Sequence, residues 1–426
     1  MVSQAIIQKV HSRITSNEKE ATNFLSSLVK IPTEVPPGEN FPEISKTILG
    51  KMKEFTPDAE SIPVPEEWAR ENWPPGVERP RVNTVGWLRG TGKGSTLVVN
   101  GHVDVVPAGK GWTVDPYAGL IKNEAVYGRG SSDNKGGVTA LIMAAKATAE
   151  CGIKLKGDVV LTATVDEEVG GKLGLGYLVE SKAISGDYCM VLDGNLEYIG
   201  ISGQGSFAWK VETIGKAAHS SVPWKGVNAI NKMAKIVLAV EKHADDLHRR
   251  TTKIPAPPDT GRPFIYPTVN TGVIEGGVKE NAVPDKCSIR LYRRITPEED
   301  PQKARAELEE VFVQVSKTDP DLKLTVEELF KKDPWMTPEG GNSSLVKTIK
   351  ASAEEVLGVE PPLCGMTGGG DGEHTILRGG IPSCNFGPGR RAHGVHGIDE
   401  HLPVQDLQNL TKIAASTILR TVGIVE

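Results

Sequence analysis

Residues 138–168 read VTALIMAAKATAECGIKLKGDVVLTATVDEE. The first part, residues 138–149, is rich in alanine and predicts a buried helix, and residues 159–165 form an apolar, β-branched run that predicts a strand. Apolar runs at residues 97–99 and 188–192 extend this pattern on both sides. Strands that alternate with a helix predict an α/β fold in which a mixed, mostly parallel sheet is sandwiched by helices.

Beyond residue 205 the pattern changes, because short alternating segments flank two helical stretches. The alternating segments are residues 207–213, 268–274 and 287–293, and the helical stretches are residues 229–246 and 301–318. A helix, a short strand and a final helix follow at residues 343–357, 383–386 and 404–422. We therefore expect a first domain of residues 1–205 and 329–426, and an inserted, smaller α+β domain of residues 206–328. A chain of 426 residues also exceeds what one hydrophobic core usually organises.

One connecting segment is unusually long. Residues 62–82 contain five of the chain's 29 prolines and two tryptophans. This composition predicts a long loop, which either borders a binding cleft or lies on the surface as an Ω-loop.

Composition excludes several classes of partner. The 49 basic and 54 acidic residues give a formal net charge of -5 without long blocks of like charge, so nucleic-acid and membrane-surface binding are not expected. No apolar run approaches the roughly 20 residues that span a bilayer, and the amino terminus lacks the apolar core of a signal peptide. We expect a cytoplasmic protein whose five scattered cysteines are reduced core thiols.

The first candidate site residues lie where the apolar run at residues 97–100 ends, in Gly101-His102-Val103-Asp104. Side chains two positions apart on a strand face the same way, so His102 and Asp104 are placed to touch. A carboxylate that accepts an imidazole N–H fixes the tautomer of a metal-bound histidine. The pattern predicts His102 as a ligand with Asp104 as its support; a hydrogen-bonded core pair is the alternative.

Residues 127–137, YGRGSSDNKGG, form a loop with four glycines that opens the alanine-rich helix. Because glycines allow close backbone approach and a helix amino terminus favours anions, a phosphate-binding loop is one interpretation. The stretch lacks the spacing of the nucleotide-binding loop and of the GxGxxG fingerprint. Asp133 is left either as a ligand or as the cap of the following helix.

Acidic residues and a histidine follow the remaining elements. Asp166-Glu167-Glu168 come directly after the strand at residues 159–165, and three adjacent carboxylates repel one another unless a positive charge lies among them. A divalent cation would supply that charge; a solvated acidic turn is the alternative. Asp193 follows residues 188–192, and His396 precedes the last helix, with His393 as its rival.

These residues share one kind of position, at or just past a predicted strand end or helix start, where the ligands of open α/β sheets gather. Imidazole and carboxylate without thiolate suit zinc, with cobalt or manganese as substitutes. Two histidines and three carboxylates exceed the usual ligand count of one catalytic zinc, so two Zn²⁺ per subunit with one bridging carboxylate are expected. The expected ligands are His102, Asp133, Glu168 and Asp193, with either His396 or its rival His393 as the second histidine.

With these motifs the sequence resembles, over nearly its whole length, the family of dizinc metallopeptidases and deacylases that includes acetylornithine deacetylase, succinyl-diaminopimelate desuccinylase and a glutamate-releasing carboxypeptidase. The matching stretches are GHVDVVPAG, GWTVDPYAG, YGRGSSDNKGG, TVDEEVGG, VLDGN, GKAAHSSVP, NAVPD, GGGDGEH, NFGPG and HGIDE.

The resemblance implies a role for each matching residue. It implies the same ligands with His396 as the second histidine and Asp133 bridging both ions, a cis peptide bond at Asp133-Asn134, and Asp104 as the supporting carboxylate. Glu167 corresponds to the general base. His219, in the inserted domain, corresponds to a histidine that reaches the active site of the partner in a homodimer. Asn281, Arg294 and Gly370 match positions that hold the substrate carboxylate, with Arg293 as a neighbouring alternative to Arg294.

The resemblance also implies an activity. The expected function is metal-dependent removal of an N-acyl group from a small amino-acid-like substrate, in which a zinc-activated water attacks the amide and Glu167 acts as base. The residue at position 193 is aspartate and not glutamate, and in this respect the sequence resembles acetylornithine deacetylases and certain dipeptidases. A metallo-dipeptidase or carboxypeptidase acting on short peptides is the alternative.

Overall fold

The computed structural model describes residues 2–72 and 79–425. Its helices are α1 (Gln4–Ser16), α2 (Glu18–Val29), α3 (Phe41–Met52), α4 (Glu66–Asn72), α5 (Lys135–Glu150), α6 (Leu175–Glu180), α7 (Ala229–His248), α8 (Pro301–Thr318), α9 (Ser344–Leu357) and α10 (Val404–Val422). Its strands are β1 (Ala59–Pro63), β2 (Val82–Leu88), β3 (Leu97–His102), β4 (Leu120–Lys122), β5 (Ala125–Tyr127), β6 (Val159–Thr164), β7 (Tyr188–Val191), β8 (Ile199–Gly203), β9 (Gly205–Ile214), β10 (Ala218–His219), β11 (Thr268–Gly276), β12 (Ala282–Val283), β13 (Lys286–Ile295), β14 (Lys323–Lys332), β15 (Trp335–Met336), β16 (Leu363–Met366), β17 (Ser383–Asn385) and β18 (His401–Pro403). None of the helices in these residues is long and apolar enough to cross a membrane.

The chain divides into two compact units. The first unit comprises Met1–Ile201, Met336–Cys364 and Gly370–Glu426, and the second comprises Ser202–Trp335 and Gly365–Gly369. The expected boundary at residue 328 lies inside β14, which continues to Lys332. This strand offers no alternation of buried and exposed residues, because most of its side chains are exposed, and its end could not be read from hydrophobicity.

The first unit is built on a mixed sheet whose central strands are parallel, as the sequence predicts. The order β6, β3, β7 and β17 is parallel throughout, whereas β1, β2 and β8 join its edges in antiparallel pairs. In the parallel centre, the carboxyl ends of neighbouring strands lie at one edge of the sheet, where α/β proteins usually bind ligands.

Both faces of this sheet are covered. Along β3, Leu97 and Val99 pack in the core beneath α1, α5 and α10, while Val98 packs in a second core with Leu178 of α6. Because successive side chains of a strand alternate between faces, a fully apolar strand needs a covering layer on each side. The predicted sandwich of a sheet between helices is therefore confirmed.

The second unit is an α+β layer. Its antiparallel sheet has the order β11, β13, β9 and β14. Along β9 the side chains of Phe207, Trp209 and Val211 are buried at every second position and form a core with α7 and α8. The predicted α+β character is confirmed.

The expected loop at residues 62–82 is only partly a loop. It includes the end of β1, helix α4 and the start of β2, and residues 73–78 of the predicted segment lie outside the described part of the chain. No residue of α4 is buried, so the helix has no apolar stripe that the sequence could reveal. Its Glu66 and Arg70 form an exposed i,i+4 pair with 3.0 Å between nitrogen and oxygen.

Candidate metal centre

The predicted ligands of the first unit lie at the carboxyl ends of its central strands. His102 is the last residue of β3, Asp193 follows β7 by two residues, and Glu168 lies in a 3-10 turn at Glu167–Val169 after β6. Asp133 precedes α5, whose amino terminus approaches β7 closely: a Cβ atom on Gly137 would lie 2.1 Å from the carbonyl oxygen of Leu192. A residue without a side chain at this position lets the helix bring Asp133 to the strand ends.

Two groups of side chains in this region could each hold a metal ion. One contains His102, Asp133 and Asp193, and the other contains Asp133, Glu168 and His396. Within each group the ligand atoms all lie within 4.8 Å of one another. Asp133 belongs to both groups, so a carboxylate stands between two candidate metal positions.

The two oxygens of Asp133 face different partners. Its Oδ1 lies 3.0 Å from Nε2 of His102, and its Oδ2 lies 3.3 Å from Nε2 of His396. The same imidazole nitrogen of His396 lies 3.0 Å from Oε1 of Glu168. This divergence is what a carboxylate that bridges two cations requires.

The electrostatics of the centre favour cations. Burial, followed by the charge of Asp133, raises the pKa of Glu168 to about 7 and raises the pKa of Asp193 well above its ordinary value. Hydrogen bonds to Asp133 and then to Glu168 raise the pKa of His396 to about 10. Buried carboxylates that disfavour one another's charge fit a site for divalent ions, because the ions would remove the repulsion. The donor set of imidazoles and carboxylates suits zinc.

Asp104 supports the centre more broadly than the sequence predicted. The Nδ1 atom of His102 lies 3.1 Å from the backbone oxygen of Asp104 and 3.5 Å from its carboxylate. The Asp104 carboxylate, which is fully buried, accepts the backbone N–H groups of Glu167 at 3.1 Å and Glu168 at 3.0 Å. Asp104 therefore orients the predicted ligand His102 and also fixes the turn that carries Glu167 and Glu168.

The three adjacent carboxylates after β6 have separate environments. Asp166 pairs with Arg81 at 2.8 Å, and both side chains are buried, so a protein cation rather than a metal ion faces this acid. The expectation that one metal ion relieves all three charges is wrong for Asp166. Glu167 lies next to the predicted ligand Glu168 in the 3-10 turn that follows β6.

His396, and not its rival His393, joins the ligand groups. His393 is buried with its Nε2 atom 3.3 Å from Oδ2 of Asp406 and its Nδ1 atom 3.3 Å from the hydroxyl of Ser132. Its ring therefore connects the loop before α5 to α10.

A buried glutamate, Glu400, holds the glycine-rich loop before α5, and the sequence did not single it out. Its Oε1 accepts the backbone N–H groups of Ser132 and Asp133, each at 2.9 Å, and its Oε2 accepts that of Gly130 at 3.0 Å and the guanidinium of Arg129 at 2.5 Å. A phosphate loop presents such amides to its ligand, but here a protein carboxylate takes them. The only signal in the sequence was the position of Glu400 within HGIDE.

Asp133 is not the cap of α5. That position is held by Asn134, which makes no side-chain capping bond, and the Asp133-Asn134 peptide bond is cis, as the resemblance implied. The side chain of Asp133 points instead to the two histidines described above.

The turn that carries Glu167 has further buried neighbours that the sequence did not single out. The Nε2 atom of His374 lies 2.8 Å from the backbone oxygen of Gly170, and Asn100 donates to the carboxylate of Asp371 at 2.8 Å.

Gly370, a predicted substrate-binding residue, has a φ of 90°, which glycine adopts at low cost.

The second unit brings two predicted residues together. His219 lies on β10, paired with β12, and the backbone N–H of Ser220 donates to the backbone oxygen of Asn281 at 3.1 Å. His219 is exposed, and its Nδ1 atom lies 2.7 Å from the hydroxyl of Ser221.

The alternative between two adjacent arginines has a structural answer. Arg293 is fully buried and pairs with Glu299 at 2.7 Å, so its charge is already neutralised. Arg294 points the other way and lines a cavity of the second unit. Only Arg294 of this pair is therefore placed to meet a ligand.

Comparison with known proteins identifies relatives of the whole chain. The model of peptidase family M20/M25/M40 matches residues 98–420. An N-formyl-4-amino-5-aminomethyl-2-methylpyrimidine deformylase of Bacillus subtilis is 26% identical over 439 residues, covering 97% of this chain and 97% of the relative. A succinyl-diaminopimelate desuccinylase of Gluconacetobacter diazotrophicus is 30% identical over 351 residues, covering 78% of this chain and 82% of the relative.

The fold also has close counterparts among solved structures. A metallo-carboxypeptidase of the M20 family from Sulfolobus solfataricus superposes with a TM-score of 0.76 at 20% identity, covering 94% of this chain and 98% of that one. At this identity the likeness establishes the fold, and the chemistry has to be argued from the site.

Proposed function

The chain belongs to peptidase family M20/M25/M40, and from that premise we propose that it is a dizinc deacylase that removes an N-acyl group from a small, carboxylate-bearing, amino-acid-like substrate. Membership in the family makes it a metal-dependent hydrolase of amide bonds, a deacylase or a peptidase.

The observation that carries the proposal is the shared carboxylate of Asp133. Two ligand groups that meet in one residue, with Glu167 next to the predicted ligand Glu168 in the chain, form the arrangement that a two-metal hydrolase needs. When bound, two divalent ions would polarise the attacking water and the amide carbonyl.

The chain's own residues perform the proton transfers. Glu167 accepts a proton from the attacking water and returns it to the nitrogen of the leaving amine. Asp104 keeps Glu167 in position because it holds the backbone amides of the turn. His219, which we assign to the partner subunit of a homodimer, donates a hydrogen bond to the oxygen on which negative charge develops.

The substrate carboxylate is assigned to the second unit and the glycine-rich turn. Arg294 binds it as a charge-assisted donor, and Asn281 and Gly370 are the other residues that we assign to the substrate. Deacylation is favoured over peptide cleavage because the two sequence relatives described above are named as a deformylase and a desuccinylase, whereas the metallo-carboxypeptidase is similar at only 20% identity.

The test combines metal content with a substrate panel. Purified protein is analysed for bound elements, and hydrolysis of N-formyl, N-acetyl and N-succinyl amino acids and of dipeptides is measured before and after chelation. We expect about two metal ions per chain, chelator-sensitive hydrolysis and a preference for N-acyl amino acids. A preference for dipeptides would replace the deacylase with a peptidase.

Glu167→Gln tests the assigned base. The variant keeps every metal ligand, so it should bind both ions yet lose several orders of magnitude in turnover. Glu60→Gln, at an exposed glutamate of β1, serves as the matched control and should behave as the wild type. Full activity in metal-replete Glu167→Gln, or hydrolysis by protein that binds no metal, would overturn the proposal.

A further inference from the structure

The second unit contains a cavity of about 250 Å³ in which two arginines face the same space. Its polar wall is formed by Gln204, Thr260, Arg262 and Arg294, and its apolar wall includes Phe264 and Tyr266. The function proposed above uses only Arg294. The second cation of the cavity, Arg262, has no role in that function.

Both guanidinium groups are held against aromatic rings and lack an acidic partner. Arg262 lies 4.0 Å from the centroid of the Tyr266 ring, and Arg294 lies 5.0 Å from that of the Tyr292 ring. Across residues 2–72 and 79–425 no carboxylate lies within 4.0 Å of either group. Stacking on a ring leaves the edge of a guanidinium, where its N–H donors lie, open to an anion.

Most other arginines of the same unit have an acidic partner. Arg250 and Arg293 both pair with Glu299, at 3.3 and 2.7 Å, and Arg305 pairs with Glu328. Among the described residues, Arg290, which is exposed on β13, also has no carboxylate within 4.0 Å, but it does not line the cavity.

The backbone also fixes Arg262 in place. The hydroxyl of Thr260 accepts the backbone N–H of Arg262 at 3.3 Å and donates to the backbone oxygen of Pro257 at 2.7 Å. The backbone N–H of Ile265 donates to the oxygen of Ile254 at 3.0 Å, which ties the far end of this segment down. Arg262 therefore lies in a turn that backbone and hydroxyl hydrogen bonds hold in place.

The size and lining of the cavity define its ligand. At about 30 Å³ per water molecule, the volume corresponds to roughly eight waters, which is enough for one arm of a substrate. Ala256, Phe264 and Ile265 offer contact to a short carbon chain, while the two guanidinium groups offer donors to its ends. A short chain with two carboxylates satisfies both features.

We propose that Arg262 is a specificity-determining residue that, together with Arg294, makes the cavity select substrates with two carboxylates. Arg294 takes the carboxylate already assigned to it, and Arg262 takes a second one, carried by a dicarboxylic acyl group or an acidic side chain. The inference rests on the proposed function, because it concerns which N-acyl amino acids that deacylase accepts.

The test compares substrates that differ in one carboxylate. The pairs are N-succinyl and N-butyryl derivatives of one neutral amino acid, and N-acetylglutamate with N-acetylglutamine. Wild type should prefer the dianionic member of at least one pair. In Arg262→Gln the ratio of kcat/KM between dianion and monoanion should fall about tenfold to a hundredfold, mainly through KM, because one charge-assisted hydrogen-bonding partner is lost. Arg249→Gln, at an exposed arginine of the same unit, should keep the ratio.

A binding measurement separates this inference from the proposed function. Calorimetry on metal-loaded Glu167→Gln, with and without Arg262→Gln, measures affinity for N-succinylglycine and N-butyrylglycine without turnover. Weaker binding of the dianion alone supports the inference even if no amide is cleaved by wild type, a result that would reject only the proposed function. An equal effect on both ligands, or none on either, overturns the role of Arg262 whatever the activity.

Discussion

Asp104 connects two parts of the metal centre that are far apart in sequence. Its backbone oxygen and carboxylate meet the Nδ1 atom of His102, and its carboxylate accepts the amides of Glu167 and Glu168. A predicted ligand and the proposed base are thus positioned by one residue, whose side chain is fully buried. A substitution of Asp104 should therefore lower both the stability of the fold and the affinity for metal.

We predict that Asp104→Asn destabilises the fold by about 1–3 kcal/mol, because one of the two buried backbone amides loses its acceptor. Urea unfolding of chelated protein measures this loss without a contribution from bound metal. Metal content should also fall. In the matched control, Asp158→Asn, the replaced carboxylate accepts the amide of Gly90 at 2.8 Å far from the ligands, so metal content should stay at the wild-type level. Unchanged unfolding and metal content in Asp104→Asn would contradict the dual role.

Residue types identified the candidate centre, but they could not decide between identical neighbours. His393 and His396 differ in the partners that remote segments supply, and the same holds for Arg293 and Arg294. Asp406 and Ser132 hold His393, whereas Glu299 neutralises Arg293. Glu400 was missed for a related reason: its role is to accept backbone amides of a distant loop, and such contacts leave no pattern of residue types.

At the scale of elements, hydrophobic periodicity predicted the helices and strands that pack in a core and missed those that are exposed. Helices α8 and α10 begin and end where the pattern indicated, at Pro301–Thr318 and Val404–Val422. Helix α4 has no buried residue, and β14 is largely exposed, so neither carries the apolar period from which an element is read. Helix α5 begins at Lys135, three residues before the predicted start, because its first turn contains glycines rather than apolar side chains.

Ion pairs join helices α7 and α8 of the second unit, and their contribution to stability should depend on pH. Lys232 and Lys235 on α7 both donate to Asp319, the residue that ends α8, at 2.6 and 2.7 Å. The hydrogen bonds from Lys232 and then Lys235 lower the pKa of Asp319 from 3.8 to about 2. A carboxylate with a lowered pKa stabilises the folded state above its unfolded pKa, and this stabilisation is lost as pH falls through the folded pKa.

Asp319→Asn should therefore lower the free energy of unfolding by roughly 1–2 kcal/mol at pH 7. The difference from wild type should narrow as pH falls from about 4 toward about 2, and urea titrations of both proteins at several pH values measure it. Asp321→Asn is the control, because the Asp321 side chain is 74% exposed and 4.0 Å from Lys232. A difference for Asp319→Asn that is constant with pH would show that packing, and not charge, is responsible.

At the scale of the whole molecule, the proposed catalytic groups are divided between the two units. The predicted metal ligands and Glu167 belong to the first unit, whereas His219 belongs to the second. His219 is exposed on a short strand, and its ring contacts the hydroxyl of Ser221. The proposed homodimer would let this histidine act on the metal centre of the partner.

Mixing two inactive variants tests that division. His219→Ala retains the metal centre and Glu167, and Glu167→Gln retains His219, so each homodimer should be inactive. After subunit exchange at equal amounts, about half of the dimers are mixed, and one of the two sites in each mixed dimer has both groups. Activity should therefore return to about a quarter of the wild-type value.

A second mixture serves as the control for activity regained by subunit exchange. Glu167→Gln mixed with the double variant His219→Ala/Glu167→Gln should stay inactive, because no site regains a base. Exchange is followed independently with fluorescently labelled chains, so that a negative result has meaning. If exchange is complete and the first mixture stays inactive, His219 does not complete the site of the partner, and a residue on the same chain as the metal centre must stabilise the developing negative charge.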